Sequence, residues 1–307
     1  MRKFLCAGEA LIDVVKRERE VTEHVGGSIL NVACGLKKLG HNVRFASWWA
    51  NDHLGAKLEA YLQGAQIPVA TGSNGAVRTT VATALIDGDG HATYEFDLEW
   101  DLPEISAVDQ IGHLHVGSYS TVLDPGAQKV IALAQQCAQQ AGTTLSYDPN
   151  IRPDIMPAKS EALRRVLQMV ELADVVKASD EDLAWLYFGE NPAEVAKKWL
   201  QIGPSVVVVT QGSKGATAYM QDGTKLRVPP LQIAVADTVG AGDSFMAGLL
   251  SGLADAGLLG DSGKLRGDSK TELADALQRA ATTSAITVSH NGAYSPSRAE
   301  VSSFHQS

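Results

Sequence analysis

The stretch of this sequence best equipped for chemistry runs Asp237-Thr238-Val239-Gly240-Ala241-Gly242-Asp243-Ser244-Phe245-Met246-Ala247-Gly248-Leu249. Gly240-Ala241-Gly242 carries almost no side chain, so its backbone N–H groups can turn toward a bound anion without obstruction. Phe245, Met246, Leu249, Leu250 and Leu253 recur at helical spacing and predict a helix beginning at about Gly242. The first turn of a helix has unpaired N–H groups and partial positive charge, which suits charge developing on a transferring phosphoryl group. Asp243 stands at the mouth of this anion hole, where a carboxylate could accept the proton of an attacking hydroxyl. The competing reading makes Asp243 a helix cap and the glycines a packing device.

The run from Asp237 to Leu249 resembles the C-terminal signature of the ribokinase or PfkB family of carbohydrate kinases. Gly26-Gly27-Ser28-Ile29-Leu30-Asn31 resembles the family's N-terminal signature, in which the glycine pair and the asparagine contact the sugar. The resemblance therefore implies sugar contacts at Gly26, Gly27 and Asn31, while Ile29 and Leu30 depart from the small residues or proline often found there. Read on its own, Ser28 is a candidate N-cap, and Asn31 is either a ligand contact or a solvated helix residue. Asp148-Pro149-Asn150-Ile151-Arg152 resembles the Asp-x-Asn-x-Arg pattern of the fructokinase and ketodeoxygluconate kinase branches, whose arginine reaches substrate or phosphate. Arg152 is thus the candidate for steadying phosphoryl transfer, with a structural ion pair as the alternative.

The same resemblance implies ATP. It puts nucleotide contacts at Lys177 and Ser179, at Thr210, Gly212 and Gly215, at Gly240 and Gly242, and at Ala281, Ser284 and Gly292 near the adenine. Without it, 210–215 is a β-turn, and Ala281, Ser284 and Ala285 are helix packing. The family's Asn-x-x-Glu element, which organises Mg²⁺ through water, falls on Ser179 and Asp182, with Glu181 as the alternative. Mg²⁺ keeps most of its waters and needs few carboxylates, but a capped helix start would contain the same residues. Asp237, Val239 and the Asn291-Gly292 region correspond to the place where many relatives hold K⁺.

The elements that must position these groups alternate along the chain. Phe4 to Ile12 reads as a buried strand delivering Asp13 to its C-terminal end, where open α/β sheets bind ligands and where Asp13 could hold two sugar hydroxyls. Val43 to Trp49 is a second strand, and Asp52 reads as an N-cap. Thr79 to Ile86 and His91 to Phe96 read as a hairpin around Asp87-Gly88-Asp89-Gly90. With Val14 to Val25 it makes the small β lid the resemblance implies, whose closure would exclude water. Tyr94 and Phe96 share one face of their strand and are candidates to pack on the sugar, or else ordinary lid core. Glu95, Asp97, Glu99 and Asp101 include no arginine, which would disfavour a carboxylate-bearing substrate if they face it. His113 and His115 share a strand face but have no third metal ligand nearby. A helix from about Asp124-Pro125 to Gln140, strands at Thr143–Tyr147, Val175–Ser179 and Ser205–Thr210, a polar loop at Gly260–Ser269 and a helix from Glu272 to Val288 complete the pattern. Such alternation predicts an α/β fold with a mainly parallel sheet covered by helices on both faces. The resemblance makes it ribokinase-like, one kinase domain over 1–307 with lid insertions at about 14–25 and 78–100.

Composition narrows the partners. A formal charge of −9 over 307 residues argues against a nucleic-acid backbone or an anionic membrane as the main partner. No apolar run reaches the roughly twenty residues a membrane helix needs, and no signal peptide is read, so a cytoplasmic protein is expected. Cys6, Cys34 and Cys137 are odd in number and far apart, which reads as reduced thiols. The expectation is an ATP-dependent sugar kinase using Mg²⁺, with fructose as first substrate and a homodimer joined through the lid. The alternatives are 2-keto-3-deoxygluconate, ribose or a nucleoside as acceptor, or a binding sensor without catalysis, which would have no need of Asp243 as a base.

Overall fold

The computed structural model describes residues 3–17, 20–86 and 92–304. In chain order the elements are β1 (Lys3–Ala7), β2 (Leu11–Arg17), β3 (Glu20–Gly26), α1 (Ser28–Lys38), β4 (Val43–Ala46), α2 (His53–Gly64), β5 (Val81–Ile86) and β6 (Ala92–Asp97). Next come β7 (Ile111–Gly117), α3 (Gly126–Ala138), β8 (Thr144–Asp148), α4 (Lys159–Leu172), β9 (Val175–Ser179), α5 (Asp180–Leu186) and α6 (Pro192–Leu200). The chain continues through β10 (Val206–Thr210), β11 (Ala216–Met220), β12 (Lys225–Val228), α7 (Ala241–Asp255), α8 (Ser262–Arg266), α9 (Lys270–Val288) and α10 (Arg298–Phe304).

Eight strands form the main sheet in the order β12-β11-β10-β9-β8-β7-β1-β4, parallel from β4 to β10 and antiparallel through the hairpins β10-β11-β12. A parallel strand covered on both faces must be apolar at consecutive positions, as Val206-Val207-Val208-Val209 is. Alternate residues feed two cores. Phe4, Cys6, Val206 and Val208 pack with α1, α7 and α9, while Leu5, Leu114, Val207 and Val209 pack with α3, α4 and α6. The expected α/β architecture, mainly parallel and flanked by helices, is the one observed. Two glycines set the seat of α7: a Cβ on Gly248 would run into Thr283, and one on Gly252 would lie 2.5 Å from the Ala276 Cα, so α9 can lie directly against α7.

A second sheet, in the order β3-β2-β5-β6, carries the strands expected of a lid. β2 pairs antiparallel with β3 and parallel with β5, and β5 and β6 form the expected antiparallel pair. The turn Asp87-Gly88-Asp89-Gly90 and His91 lie outside the described residues. Among those described, no helix is long and apolar enough to cross a membrane.

Several local expectations change. The apolar run Phe4–Ile12 is two strands, because the chain passes so close to Ile29 at Gly8 that no side chain fits, and there it leaves the main sheet. Asp13 therefore sits within β2 of the smaller sheet and not at a C-terminal end in the main one, and that sheet starts at Leu11. The strand expected to reach Trp49 stops at Ala46. Asp52 does cap α2, accepting the Gly55 N–H at 2.7 Å. The polar stretch Gly260–Ser269 contains α8, capped by Asp261 on the Gly263 N–H and anchored by the fully buried Leu265.

Candidate active site

The C-terminal ends of the parallel strands deliver Gly117, Asp148, Ser179 and Thr210 to one edge of the sheet, and the tip of α7 closes over it. The helix begins at Ala241, one residue earlier than expected, with Gly240 as N-cap in the left-handed region at φ 75°. A Cβ there would also lie 2.8 Å from that of Ala293, so conformation and space both require glycine. The Ala241 N–H is taken up by the Thr238 carbonyl at 3.2 Å, which removes it from the expected anion hole. The Gly242 and Asp243 amides remain at the open end of the helix.

Asp243 is buried, with both carboxylate oxygens engaged by neutral donors. The Ser28 Oγ donates to Oδ1 at 2.7 Å and the Asn31 Nδ2 donates to Oδ2 at 2.8 Å. Ser28 is accordingly not an N-cap: Gly27 holds that position, at φ 122° and with its Cα against the Glu9 carbonyl, and Ser28 opens the helix with its hydroxyl turned toward the acid. Gly26, Gly27, Asn31 and Asp243 are thus brought together, and the Asn31 amide nitrogen is committed to Asp243.

Asp13 faces the same cleft from β2. Its carboxylate lies against Gly26 so closely that a Cβ on Gly26 would clash with Oδ2. Asp13 is exposed at the surface, yet the protein packed around its carboxylate desolvates it in part and pushes its pKa up, against the pull of His24 and Arg152. Arg152 is exposed, donates to its neighbour Ile151's carbonyl at 3.1 Å, and exerts its charge on both Asp13 and Glu9. Strand register puts Asp13, Ala82 and Phe96 in one row of the smaller sheet, and Tyr94 on the same face, as expected. The rings of Tyr94 and Phe96 stack at 6.3 Å, and Tyr94 is 57% exposed.

The acidic run does not bear on substrate charge as expected. Asp97 pairs with Arg78 at 2.6 Å, Glu99 accepts the Val77 and Arg78 amides, and Asp101 pairs with Lys129 at 2.6 Å. Three of the four acids are thus taken up by Arg78, by backbone amides or by Lys129, while Glu95 is exposed on β6.

At the opposite end, Lys177 and Asp148 form a buried ion pair at 2.8 Å. Lys177 Nζ lies 3.1 Å from where a Gly242 Cβ would stand, beside the first turn of α7. Burial alone would lower the Lys177 pKa, but Asp148, Asp182 and Asp243 together outweigh it and hold the ammonium charged. Asn150, held at φ 37°, buries an Nδ2 that has no hydrogen-bond partner among the described residues.

Ser179 and Asp182 form a reciprocal capping box on α5. The Asp182 Oδ2 accepts the Ser179 amide at 2.8 Å and its Oδ1 the Ile151 amide at 2.7 Å, whereas Glu181 is exposed. Among the described residues no group of three His, Cys, Asp or Glu side chains is suited to a metal. Direct protein ligation of Mg²⁺ does not fit these residues; a hydrated ion brought in on nucleotide phosphates does, through water on the second lone pairs of Asp182. His113 and His115 are buried against Thr144 and Ser146 at 2.8–2.9 Å, and burial lowers both to about 3, so they are neutral structural groups.

The residues expected at the nucleotide divide. Thr210 ends β10 and Gly212, at φ 51°, begins the open turn beyond it. Gly215 owes its identity to the hairpin, since a Cβ would collide with the Val228 carbonyl. Ser284 donates to the Ala241 carbonyl at 3.0 Å and Ala281 packs at the rim of the core, so both join α9 to α7. Asp237 accepts the Val239 amide at 3.0 Å and the Gly292 amide at 2.9 Å, tying together the two loops beside the α7 tip.

Glu9 and the Ser28 hydroxyl are the site groups that sequence reading passed over. The signal was present in Glu9, a lone carboxylate inside an otherwise apolar run.

The family described as pfkB family carbohydrate kinase matches residues 1–300. A fructokinase of Rhizobium leguminosarum bv. trifolii is 35% identical over 264 residues, covering 81% of this chain and 79% of that protein. The crystal structure of fructokinase with bound ATP from Xylella fastidiosa superposes with a TM-score of 0.85 at 26% identity, over 99% of this chain and 98% of that one. Fructokinase from Vibrio cholerae O395, in its fructose, ADP and calcium ion bound form, gives 0.81 at 25% identity over 99% of both chains. The chain belongs to the pfkB family of carbohydrate kinases.

Proposed function

We propose that this protein transfers the γ-phosphoryl group of ATP to a hydroxyl of fructose. The choice of fructose is supported by the 35% identical fructokinase and by the fructose- and ADP-bound neighbour that aligns end to end. The observation that carries the chemistry is Asp243 at the open tip of α7, fixed on both oxygens by uncharged donors. Each carboxylate oxygen keeps a lone pair, so Asp243 can receive an incoming hydroxyl without releasing Ser28 or Asn31.

As the sugar oxygen attacks, Asp243 takes its proton. The Gly242 and Asp243 amides and the Lys177 ammonium meet the charge gathering on the γ-phosphoryl group. The donor is MgATP, whose metal neutralises phosphate charge, with Asp182 as the candidate water-mediated contact. Asp13, Gly26, Gly27, Asn31 and Arg152 form the proposed sugar site. The smaller sheet is the proposed lid, and closure would keep water from competing for the phosphoryl group. The same sheet is the proposed seat of the homodimer, while Tyr94 and Phe96, on its Asp13 face, are proposed to pack on the sugar. K⁺ at Asp237 and Val239, nucleotide contacts at Thr210, Gly212 and Gly292, and a cytoplasmic setting complete the reading.

A coupled ADP-release assay over fructose, ribose, 2-keto-3-deoxygluconate and a nucleoside tests it. Fructose should exceed the others in kcat/KM by at least about tenfold, the scale on which hydroxyl recognition discriminates. A higher value for another acceptor would overturn fructose, and no ADP with any acceptor would overturn the kinase.

A further inference from the structure

Glu9 is the acid that the mechanism leaves without a task. It lies in the turn between β1 and β2, and only 2% of it is exposed. Its Oε1 accepts the Ser28 main-chain N–H at 3.3 Å, the Ser118 side chain lies alongside, and its Oε2 has no hydrogen-bond partner among the described residues. Its carbonyl meets Gly27, where a Cβ would come within 2.5 Å. Main chain and side chain of Glu9 together therefore grip the first turn of α1, the turn that carries Ser28 and Asn31.

Resting on the reading of Asp243 as the base, we propose that Glu9 is a positioning residue for it: by fixing the Ser28 backbone, Glu9 sets the direction of the hydroxyl that holds Asp243 Oδ1. The Ser28 amide is one of the first-turn donors that a helix cannot satisfy by itself. Buried without Glu9 it would be unpaired, and the turn would be free to shift. A displacement of about 1 Å at a catalytic group is enough to cost about a hundredfold in rate.

The charge state fits the task. Burial raises the Glu9 carboxyl to about 8, its own main-chain amide and Ser118 pull it down, and Asp243 and Arg152 act in opposite senses. The groups facing it are Ser28 from α1, Ser118 and Tyr119 from the turn after β7, Arg152 from the loop after β8 and Asp243 from α7. At neutral pH Glu9 is mostly the uncharged acid, and so fixes the turn without a second negative charge beside Asp243 and the arriving phosphate. Above about pH 8 that charge appears. Glutamine has the same shape and cannot acquire it.

The test compares the full-length protein with Glu9→Gln, Glu9→Ala and Asp243→Asn from pH 6 to 9.5, using MgATP and the best acceptor from the sugar panel. ATP affinity by calorimetry and melting temperature are measured alongside. The parent should lose turnover above about pH 8, and Glu9→Gln should keep kcat within about threefold at pH 7 without that decline. Glu9→Ala should lower kcat about tenfold with ATP affinity unchanged. A folded Glu9→Ala with parental kcat, or a Glu9→Gln with the parental alkaline limb, overturns the proposal. If Glu9→Ala does not fold, the Glu9→Gln profile decides alone. Parental turnover in Asp243→Asn would instead remove the base reading, which keeps the two failures distinct.

Discussion

Ser28 and Asp243, 215 positions apart in sequence, meet at 2.7 Å with the serine hydroxyl donating to Oδ1. The contact joins the first turn of α1 to the first turn of α7, so the segment proposed to hold sugar and the one proposed to hold phosphate share a single carboxylate. Asn31 makes the second half of this link. An acid held by two donors has its direction fixed, which a base requires.

Removing either donor should therefore be felt in turnover more than in binding of ATP. Ser28→Ala is expected to lower kcat about tenfold, the effect of one hydrogen bond to a charged group, with the KM for ATP unchanged. Steady-state kinetics on the purified variant checks this, and a parental kcat would mean that Asp243 is held in place by other contacts.

Gly26 gives an independent handle on Asp13. A methyl group there clashes with the Asp13 carboxylate and with little else that is rigid, and Gly26 is not among the left-handed glycines. Gly26→Ala should raise the KM for sugar at least about tenfold while leaving the KM for ATP unchanged, because one well-placed polar contact carries that order of discrimination. An unchanged sugar KM would remove Asp13 from the sugar site.

Much of this was legible in residue order, for reasons that also explain what was not. The run of four valines in β10 declares a strand buried on both faces, and the glycine–alanine–glycine step before Asp243 declares a helix tip. Periodicity is local and finds such elements. It could not separate β1 from β2, because Gly8 breaks the strand only through its approach to Ile29, a contact between distant residues. The reading of Ser28 as a cap failed for the same reason: its partner is Asp243, which local spacing cannot supply. The acidic run reads as unpaired in sequence because Arg78 and Lys129, which pair with Asp97 and Asp101, come from outside it.

The buried histidines make a prediction about stability. His113 is lowered to about 3 by burial, with His115 adding to the effect, whereas an unfolded chain restores the ordinary 6.5. The unfolded state therefore takes up the proton first as pH falls. The contribution of neutral His113 is complete above pH 6.5 and is lost progressively as pH falls toward about 3, by about 2 kcal/mol at pH 5. Denaturant unfolding at pH 7 and pH 5 should show the gap between the parent protein and His113→Asn narrowing on acidification. A constant gap would mean that His113 takes up its proton over the same pH range folded and unfolded.

The most direct measurement is turnover and ATP binding in Asp243→Asn, a change that keeps the shape of the side chain and removes its basicity. The account predicts kcat reduced by at least about a hundredfold, the lower scale of base catalysis, with calorimetric ATP affinity close to that of the parent. Turnover near the parental rate, in a variant that binds ATP normally, would contradict it.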